Sequence, residues 1–414
     1  MQRTMLVLKV IAAAMLLASP AHLWAQSGET TPTADWPQWR GIHRDGHVSG
    51  LPRTMPPMNV LWKHPMAGVC DAGIAVTAGR VFMADHDERN DFYRCLDARS
   101  GTEIWVRSFP NTREMDYGAG PRATPLVHRD RVYALSAFGE LFCFDSRTGK
   151  TVWQKDFLKD FGADKVPKWG YCSSPLVTQG KLIVSPGGKV AIAALDPETG
   201  KTLWNGAGTG SNYSSLIVGV FGGVEQIVGH DDASLGGWEV ATGKRLWSIT
   251  MEQVEPPFIV PTPVNVGGKL LVTDQKNETQ LFAFGKEGLI VEQPIAKSEE
   301  IAPEVVTPVA AGDLILGQSK KLICLDASNK LVRLWTEGAR TFKADCHLIV
   351  AEDLGLAFNK RGEVALFSFD RKGVKVLGEK KLCRQTPMHP TLADGRLYVR
   401  DGEFLYCYDL SDGQ

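Results

Sequence analysis

The chain reads as an all-β protein: an eight-bladed β-propeller of four-stranded antiparallel blades, closed by an N-terminal strand that joins the C-terminal blade. Three observations predict it. Trp62, Trp105, Trp153, Trp204, Trp247 and Trp335 are separated by 43, 48, 51, 43 and 88 residues, the last gap being two periods with one tryptophan missing. A phrase of short strands and glycine turns recurs with them, and an incomplete copy of it stands near each end. A period in the forties made of strands and turns belongs to propellers and arrays, and no window sustains helical periodicity.

The unit is clearest in "SSPLVTQGKLIVSPGGKVAIAALDPETGKTLW". A strand begins at Ser174-Pro175, turns at Gly180, continues as "KLIVS", turns at Gly187-Gly188, runs through "VAIAALD", turns at Thr199-Gly200 and closes with "KTLW". Apolar and β-branched runs punctuated by glycine make four short antiparallel strands. The phrase returns as "TPLVHRDRVYALSAFGELFCFDSRTGKTVW" and as "HPTLADGRLYVRDGEFLYCYDL". Closing strands are expected at Trp105, Trp153, Trp204, Trp247, the "LIVEQ" after Gly288, Trp335 and the "VKVLG" after Gly373. The C-terminal unit stops at "LYCYDL" with three strands, and "NVLWKHP" around Trp62 is a closing strand with no unit before it. Joining the two supplies an eighth sheet and ties the ring shut, which protects the sheet edges.

Cys95, Cys143, Cys324 and Cys407 sit in "YRCLD", "LFCFD", "LICLD" and "LYCYD", where "IAALD" has Ala194. They share one slot for a small buried residue, and free cysteine behaves as a small hydrophobe. Most of the eight cysteines are therefore expected to be unpaired; a bridge would involve Cys70, Cys172, Cys346 or Cys383.

A formal charge of −1 gives no long-range field for nucleic acid or an anionic membrane. Arg3 and Lys9, the apolar run from Val10 to Ala18 and a small-residue stop near Ala25 read as a signal peptide over residues 1–25. That apolar run is far below the roughly 20 residues of a membrane span. The expected organisation is a signal peptide (1–25), an N-terminal clasp segment (26–58) and the propeller (59–414), in a periplasmic or extracellular protein.

On the unit of strand, turn, strand, "LYALD"-like run, "TGK" and Trp, the chain resembles the quinoprotein-type (PQQ-like) propeller repeat family over residues 59–410. Some members of that family are dehydrogenases holding pyrroloquinoline quinone (PQQ) and calcium over the central channel. Others, such as the outer-membrane assembly lipoprotein BamB, are binding scaffolds. In the large dehydrogenases a Trp- and Gly-containing segment precedes the first closing strand, and "WPQWRGIHRDG" resembles it. The resemblance implies a clasp whose tryptophans bury area and whose Arg40, Arg44 and Asp45 pair with blade edges. A contribution to a ligand pocket is the alternative. The dehydrogenase pattern itself is incomplete: there is no Cys-Cys pair, no Cys-x-x-Cys-His and no room for the insertions that build the enzyme pocket.

Other mechanisms find no support. The "TGKTVW" and "TGKTLW" turns lack the upstream glycine of a phosphate loop, and neither Gly-x-Ser-x-Gly nor His-Glu-x-x-His occurs. The segments leading into the innermost strands remain, because they converge on one face around the axis: "EMDYGAGPRATP", "PKWGYCSSP", "GSNYSS", "EPPFIVPTP", "APEVVTP", "KADCHLIV" and "CRQTPMHP". They nominate Asp116, Tyr117, Arg122, Trp169, Tyr171, Tyr213, Glu304, Asp345, His347, Arg384 and His389 as residues of a funnel mouth. Aromatics interleaved with arginines and carboxylates suit a pocket or a peptide contact. Two bland readings stand beside this: groups that cap strands and close a water-filled channel, and, for "HDDAS" at 230–234, a solvated loop rather than a calcium loop. His347 and His389, with Cys346, Asp345 and Met388 adjacent, raise a metal site without the spacing that would specify one. The expected function is a non-catalytic interaction or ligand-binding scaffold with no cofactor and a protein or small ligand on the funnel face. A small PQQ- and calcium-dependent oxidoreductase with its site at the funnel mouth is the alternative.

Overall fold

The computed structural model describes residues 35–250, 258–274, 278–303 and 305–411. The leader lies outside these residues. Among the described residues the strands pair into eight four-stranded sheets, each antiparallel throughout and each running from an innermost to an outermost strand. Blades 1 to 7 follow one another along the chain, with innermost strands Ala75–Thr77, Leu126–His128, Leu176–Thr178, Ile217–Phe221, Val264–Val266, Val309–Ala311 and Cys346–Ala351. Blade 8 is composite. Its three inner strands, Thr391–Ala393, Arg396–Arg400 and Phe404–Asp409, come from the C-terminal end, and its outermost is Val60–Pro65. Trp62 pairs with Cys407 in that seam.

The repeated cysteine slot has a geometric cause. Cys95, Cys143, Ala194, Cys324 and Cys407 each lie directly opposite the outer-strand tryptophan of their own blade, Trp105, Trp153, Trp204, Trp335 and Trp62. In all five pairs a register shift follows at once, between Cys95 and Leu96, Cys143 and Phe144, Ala194 and Leu195, Cys324 and Leu325, and, on the outer strand of the seam, Val60 and Trp62. A bulge at that point twists the outer strand and re-aims its side chains. The indole then leans onto the next blade: Trp62 Nε1 donates to Ala98 O (3.1 Å), Trp105 to Ser146 O (3.0 Å), Trp153 to Pro197 O (2.9 Å) and Trp335 to Asp370 O (2.7 Å). The cysteines in this slot are fully buried, and all eight cysteines are free.

The apolar core is correspondingly a ring of layers between blades rather than one central mass. Tyr133 and Cys143 of blade 2 pack with Leu182 and Ala193 of blade 3, and Trp62, Tyr398 and Cys407 of blade 8 with Val81 and Leu96 of blade 1.

Blade 5 departs from the expected pattern. Its outermost strand is Ala296–Ser298, not "LIVEQ". Gly288, at φ +70°, ends a short 3₁₀ turn, and Ile290 makes only an isolated bridge with Phe284. Leu289 and Val291 stay exposed. Without a tryptophan to lean on the next blade, the chain takes a detour before it pairs.

Candidate functional site

The segment that opens the described chain occupies the propeller axis. Trp36 exchanges two backbone hydrogen bonds with Val76 of blade 1 (2.7 and 2.8 Å), Pro37 O accepts from Val127 N of blade 2 (2.8 Å), and Gly46 and Val48 bracket Val350 of blade 7. Such a path follows the ring rather than a sheet, which is why "DWPQWRGIHRDG" has neither period. Arg40, Gly41, Arg44 and Gly46 all take positive φ, between 58° and 85°, so the chain turns repeatedly within the channel.

Its two arginines hold the blades together at their inner ends. Arg40 donates to Thr307 O (2.9 Å) and Pro308 O (3.0 Å) of blade 6 and to Asp45 O (2.9 Å). Arg44 donates to Leu216 O (2.9 Å) of blade 4 and to Pro175 O (2.9 Å) and Ser174 O (3.0 Å) of blade 3. Both are buried. Burial pushes the Arg40 guanidinium down to about 10 and that of Arg44 to about 9, so both remain charged at neutral pH. Asp45 has no blade partner of this kind; its carboxylate takes His47 N (3.0 Å) and faces His47 Nδ1 (3.4 Å).

Above this plug runs a circuit of hydroxyls. Thr124 N donates to Ser174 Oγ (3.0 Å), Ser174 N to Ser215 Oγ (3.1 Å), Ser215 N to Thr262 Oγ1 (3.0 Å) and Thr262 N to Thr307 Oγ1 (3.1 Å). Five consecutive blades are thereby linked around the axis, each satisfying a buried backbone donor of its predecessor. The sequence signal was a Ser or Thr just before the proline that opens a strand, at Thr124, Ser174, Thr262 and Thr307.

Plug and circuit line an axial cavity of about 140 Å³, open on one side past the exposed Val305. Of the funnel residues expected from the sequence, Arg122, Tyr213, His347 and His389 line it; Trp39 and Arg40 of the clasp segment, whose alternative was a contribution to a pocket, line it too, as do Asp71 and Cys172, which were not anticipated. Arg122 Nη1 bonds Asp71 Oδ2 at 2.8 Å, and its other end holds the carbonyls of Asp116 and Gly118. The His347 and His389 rings stand 4.9 Å apart. Each is fixed by a carbonyl, His347 Nε2 on Pro387 O (2.9 Å) and His389 Nδ1 on Pro390 O (2.6 Å). Enclosure away from water keeps both neutral, His347 pushed down to about 4 and His389 held well below its ordinary value.

The other expected residues lie elsewhere. Tyr171 is a core residue, not a mouth residue: it is 1% exposed, packs edge-on against Phe157 at 5.3 Å and donates to Pro186 O (2.9 Å). The helix Phe157–Phe161, capped by Asp156, brings Phe157 there. Trp169 packs against Tyr213 and Phe258 beside the cavity, at 5.4 and 5.1 Å. Asp116 is exposed and Tyr117 is 81% exposed at the rim. Asp345 is ion-paired with Lys360 (2.7 Å) and Arg384 with Glu403. Glu304 and residues 255–257 lie outside the described residues. "HDDAS" is not a solvated loop: Asp231 is 2% exposed, takes Ala233 N and Ser234 N on Oδ1 (2.9 and 2.8 Å) and pairs with Arg245 (2.6 Å). Cys70, Cys172, Cys346 and Cys383 form no bridge.

PQQ with calcium does not fit these residues. Ligand pockets for drug-sized molecules run roughly 300–1,000 Å³, more than twice the axial cavity. Calcium takes six to eight oxygen ligands, yet among the described residues the carboxylate lining the cavity is Asp71, which is held by Arg122. Among the described residues no group of three or more His, Cys, Asp or Glu could hold a metal ion. Trp169, nominated for the funnel mouth, does not line the cavity.

Eight four-stranded blades, indole-to-turn docking and a stoppered axis define a PQQ-type repeat propeller. Residues 88–337 match the family model described as outer membrane protein assembly factor BamB, and the chain belongs to that family. It is 29% identical over 317 residues to BamB of Shewanella oneidensis, covering 70% of this chain and 75% of that one. The crystal structure of BamB from Moraxella catarrhalis superposes with a TM-score of 0.60 at 14% identity, over 85% of this chain and 99% of that one. Quinohemoprotein alcohol dehydrogenase from Comamonas testosteroni shares the fold at a TM-score of 0.66 and 13% identity, over 92% and 81%. Among the described residues no helix is long and apolar enough to cross a membrane.

Proposed function

We propose that this protein is an exported, non-catalytic interaction scaffold that acts in outer-membrane protein assembly and works without a cofactor. Membership of the BamB family supports it, and the observation that carries it is the small axial pocket of about 140 Å³ left beside the segment that Arg40 and Arg44 hold in the axis. On this reading residues 1–25 direct export, residues 35–48 stopper the axis, and the rim of the funnel face meets a protein partner. Exposed Tyr117, with the exposed Arg384, is the anchor we assign to that face; aromatics and arginines dominate the energetics of protein contacts.

Site-directed photo-crosslinking from position 117 in intact cells tests it. The reading expects covalent capture of a component of the outer-membrane assembly machinery, lost when the crosslinker is moved to exposed Val332 on the outer strand of blade 6. Equal capture from both positions, or none from 117, would remove the funnel face as the docking surface.

A further inference from the structure

The junction between blades 7 and 8 is clamped in reverse. At four other junctions the outer-strand tryptophan of one blade covers the turn glycine of the next: a Cβ on Gly101, Gly149, Gly200 or Gly243 would stand 2.6, 2.5, 2.7 or 2.3 Å from Trp62, Trp105, Trp153 or Trp204. Blade 7 carries no tryptophan in its outer strand, Val374–Lys381. Gly378 holds that register position instead, paired with Leu366 immediately before a bulge, as Trp105 pairs with Cys95 before its own. The bulky side chain comes from the other partner: a Cβ on Gly378 would stand 2.5 Å from the Cβ of Met55.

Met55 reaches this place because the third and fourth strands of blade 8 are not joined by a turn of their own. Across the turn of blade 2, Asp145 N donates to Lys150 O (2.9 Å); in blade 8, Asp409 N donates to Asn59 O (2.9 Å). The strap that leads from the plug to blade 8, residues 49–59, thus fills the place of the missing turn. Leu51, Met55 and Met58 belong to one apolar cluster with Leu356 of blade 7 and Leu397 of blade 8. Other holds on the strap are at the surface, where Arg53 pairs with Asp353 (2.9 Å) and Lys380 Nζ donates to Pro57 O (2.6 Å). Exposed pairs contribute little, and Met58 sits at φ +59°, a conformation costly for a residue with a side chain. The strap therefore stays down on its apolar contacts and on the plug it continues from.

We propose that plug and strap form one latch, whose release opens the ring between blades 7 and 8. When residues 35–48 leave the axis, the strap loses its anchor and Met55 leaves Gly378. That junction then loses its clamp, while those sealed by Trp62, Trp105, Trp153 and Trp204 keep theirs. Local opening at the least secured unit is the ordinary behaviour of a folded chain. The latch is built from the chain's own contacts and does not depend on the scaffold reading.

Pulse labelling of thiols with N-ethylmaleimide under native conditions, read by mass spectrometry, tests the latch. Cys383 is a buried thiol of the junction's cluster, next to the Leu382 carbonyl that Tyr408 of blade 8 bonds, and Cys143 is a buried thiol between blades 2 and 3. Met55→Gly should speed labelling of Cys383 by roughly tenfold or more and leave Cys143 unchanged. Gly378→Ala should do the same by pushing Met55 away, but should add nothing in the Met55→Gly background, where its methyl has room. Arg44→Ala, whose lost bonds lie on blades 3 and 4, should also speed Cys383 by roughly tenfold. Should that variant fail to fold, the wild type answers: in rising sub-denaturing urea, cleavage within residues 35–48 and labelling of Cys383 should increase together. Cys143 rising with Cys383 in Met55→Gly, additive effects at positions 55 and 378, an unmoved Cys383 in folded Arg44→Ala protein, or separate release of plug and junction in urea would each overturn the proposal.

Discussion

Trp105 of blade 1 lies over Gly149 of blade 2 so closely that a Cβ on the glycine would stand 2.5 Å from the indole. Gly149 also sits at φ +68°, which L side chains rarely adopt. The glycine of the "TGK" turn is therefore the landing site of the preceding blade's tryptophan. Gly149→Ala should cost about 2–4 kcal/mol, combining left-handed strain with overpacking. Denaturant unfolding should show a lower midpoint at an unchanged slope.

The slot opposite each tryptophan predicts a graded series. Cys143→Ala should cost about 1 kcal/mol or less, since Ala194 fills the equivalent position in blade 3. Cys143→Leu should cost about 1–3 kcal/mol by overpacking against Trp153. Burial pushes the Cys143 thiol up to about 12. Thiol titration of the native protein should accordingly leave it unmodified, with all eight thiols counted only after denaturation.

Arg44 joins blades 3 and 4 to the plug through three carbonyls. Arg44→Ala leaves those acceptors buried and unpaired and should destabilise by about 3 kcal/mol or more. Arg44→Lys should recover little, because a point charge on a flexible stem cannot serve a fork of carbonyls. Limited proteolysis would check it: cleavage within residues 35–48 should precede loss of the propeller in both variants.

Stability should fall on acidification below about pH 6.5. His230 and His347 are pushed from 6.5 down to about 4 by burial, and burial likewise holds His389 well below 6.5. A depressed folded value means that the unfolded chain takes up protons first. Their contribution is complete above about 6.5 and is lost progressively toward pH 4, on the order of 2–3 kcal/mol for a group such as His230. Asp97, Asp145 and Asp196, lowered by hydrogen bonds from Ser100, Thr148 and Thr199, extend the loss to lower pH. His230→Gln should flatten the upper part of the profile of melting temperature against pH.

Much of the fold was legible because each blade repeats its own instructions. The pairing of Trp62 with Cys407 could be read from two half-units that needed each other. Blade 5 was misread because it lacks the tryptophan, so nothing in "LIVEQ" after Gly288 marked it as a detour. The site was less legible. Tyr171 is drawn into the core by a helix whose five residues carry no periodic signal. Asp71 escaped notice because the lead-in to blade 1 precedes the first full unit; Arg40 was expected on a blade edge, but an irregular segment does not announce which carbonyls it will meet. Those contacts are made around a ring, across 267 residues in the case of Arg40 and Thr307.

A scaffold whose own N-terminal segment occupies the axis, as proposed, should have no place for a quinone. Calorimetric titration of the purified mature protein with PQQ in the presence of calcium tests it most directly. The account predicts no saturable heat at high protein concentration. Stoichiometric binding at micromolar affinity or tighter would contradict it and return the funnel mouth to redox chemistry.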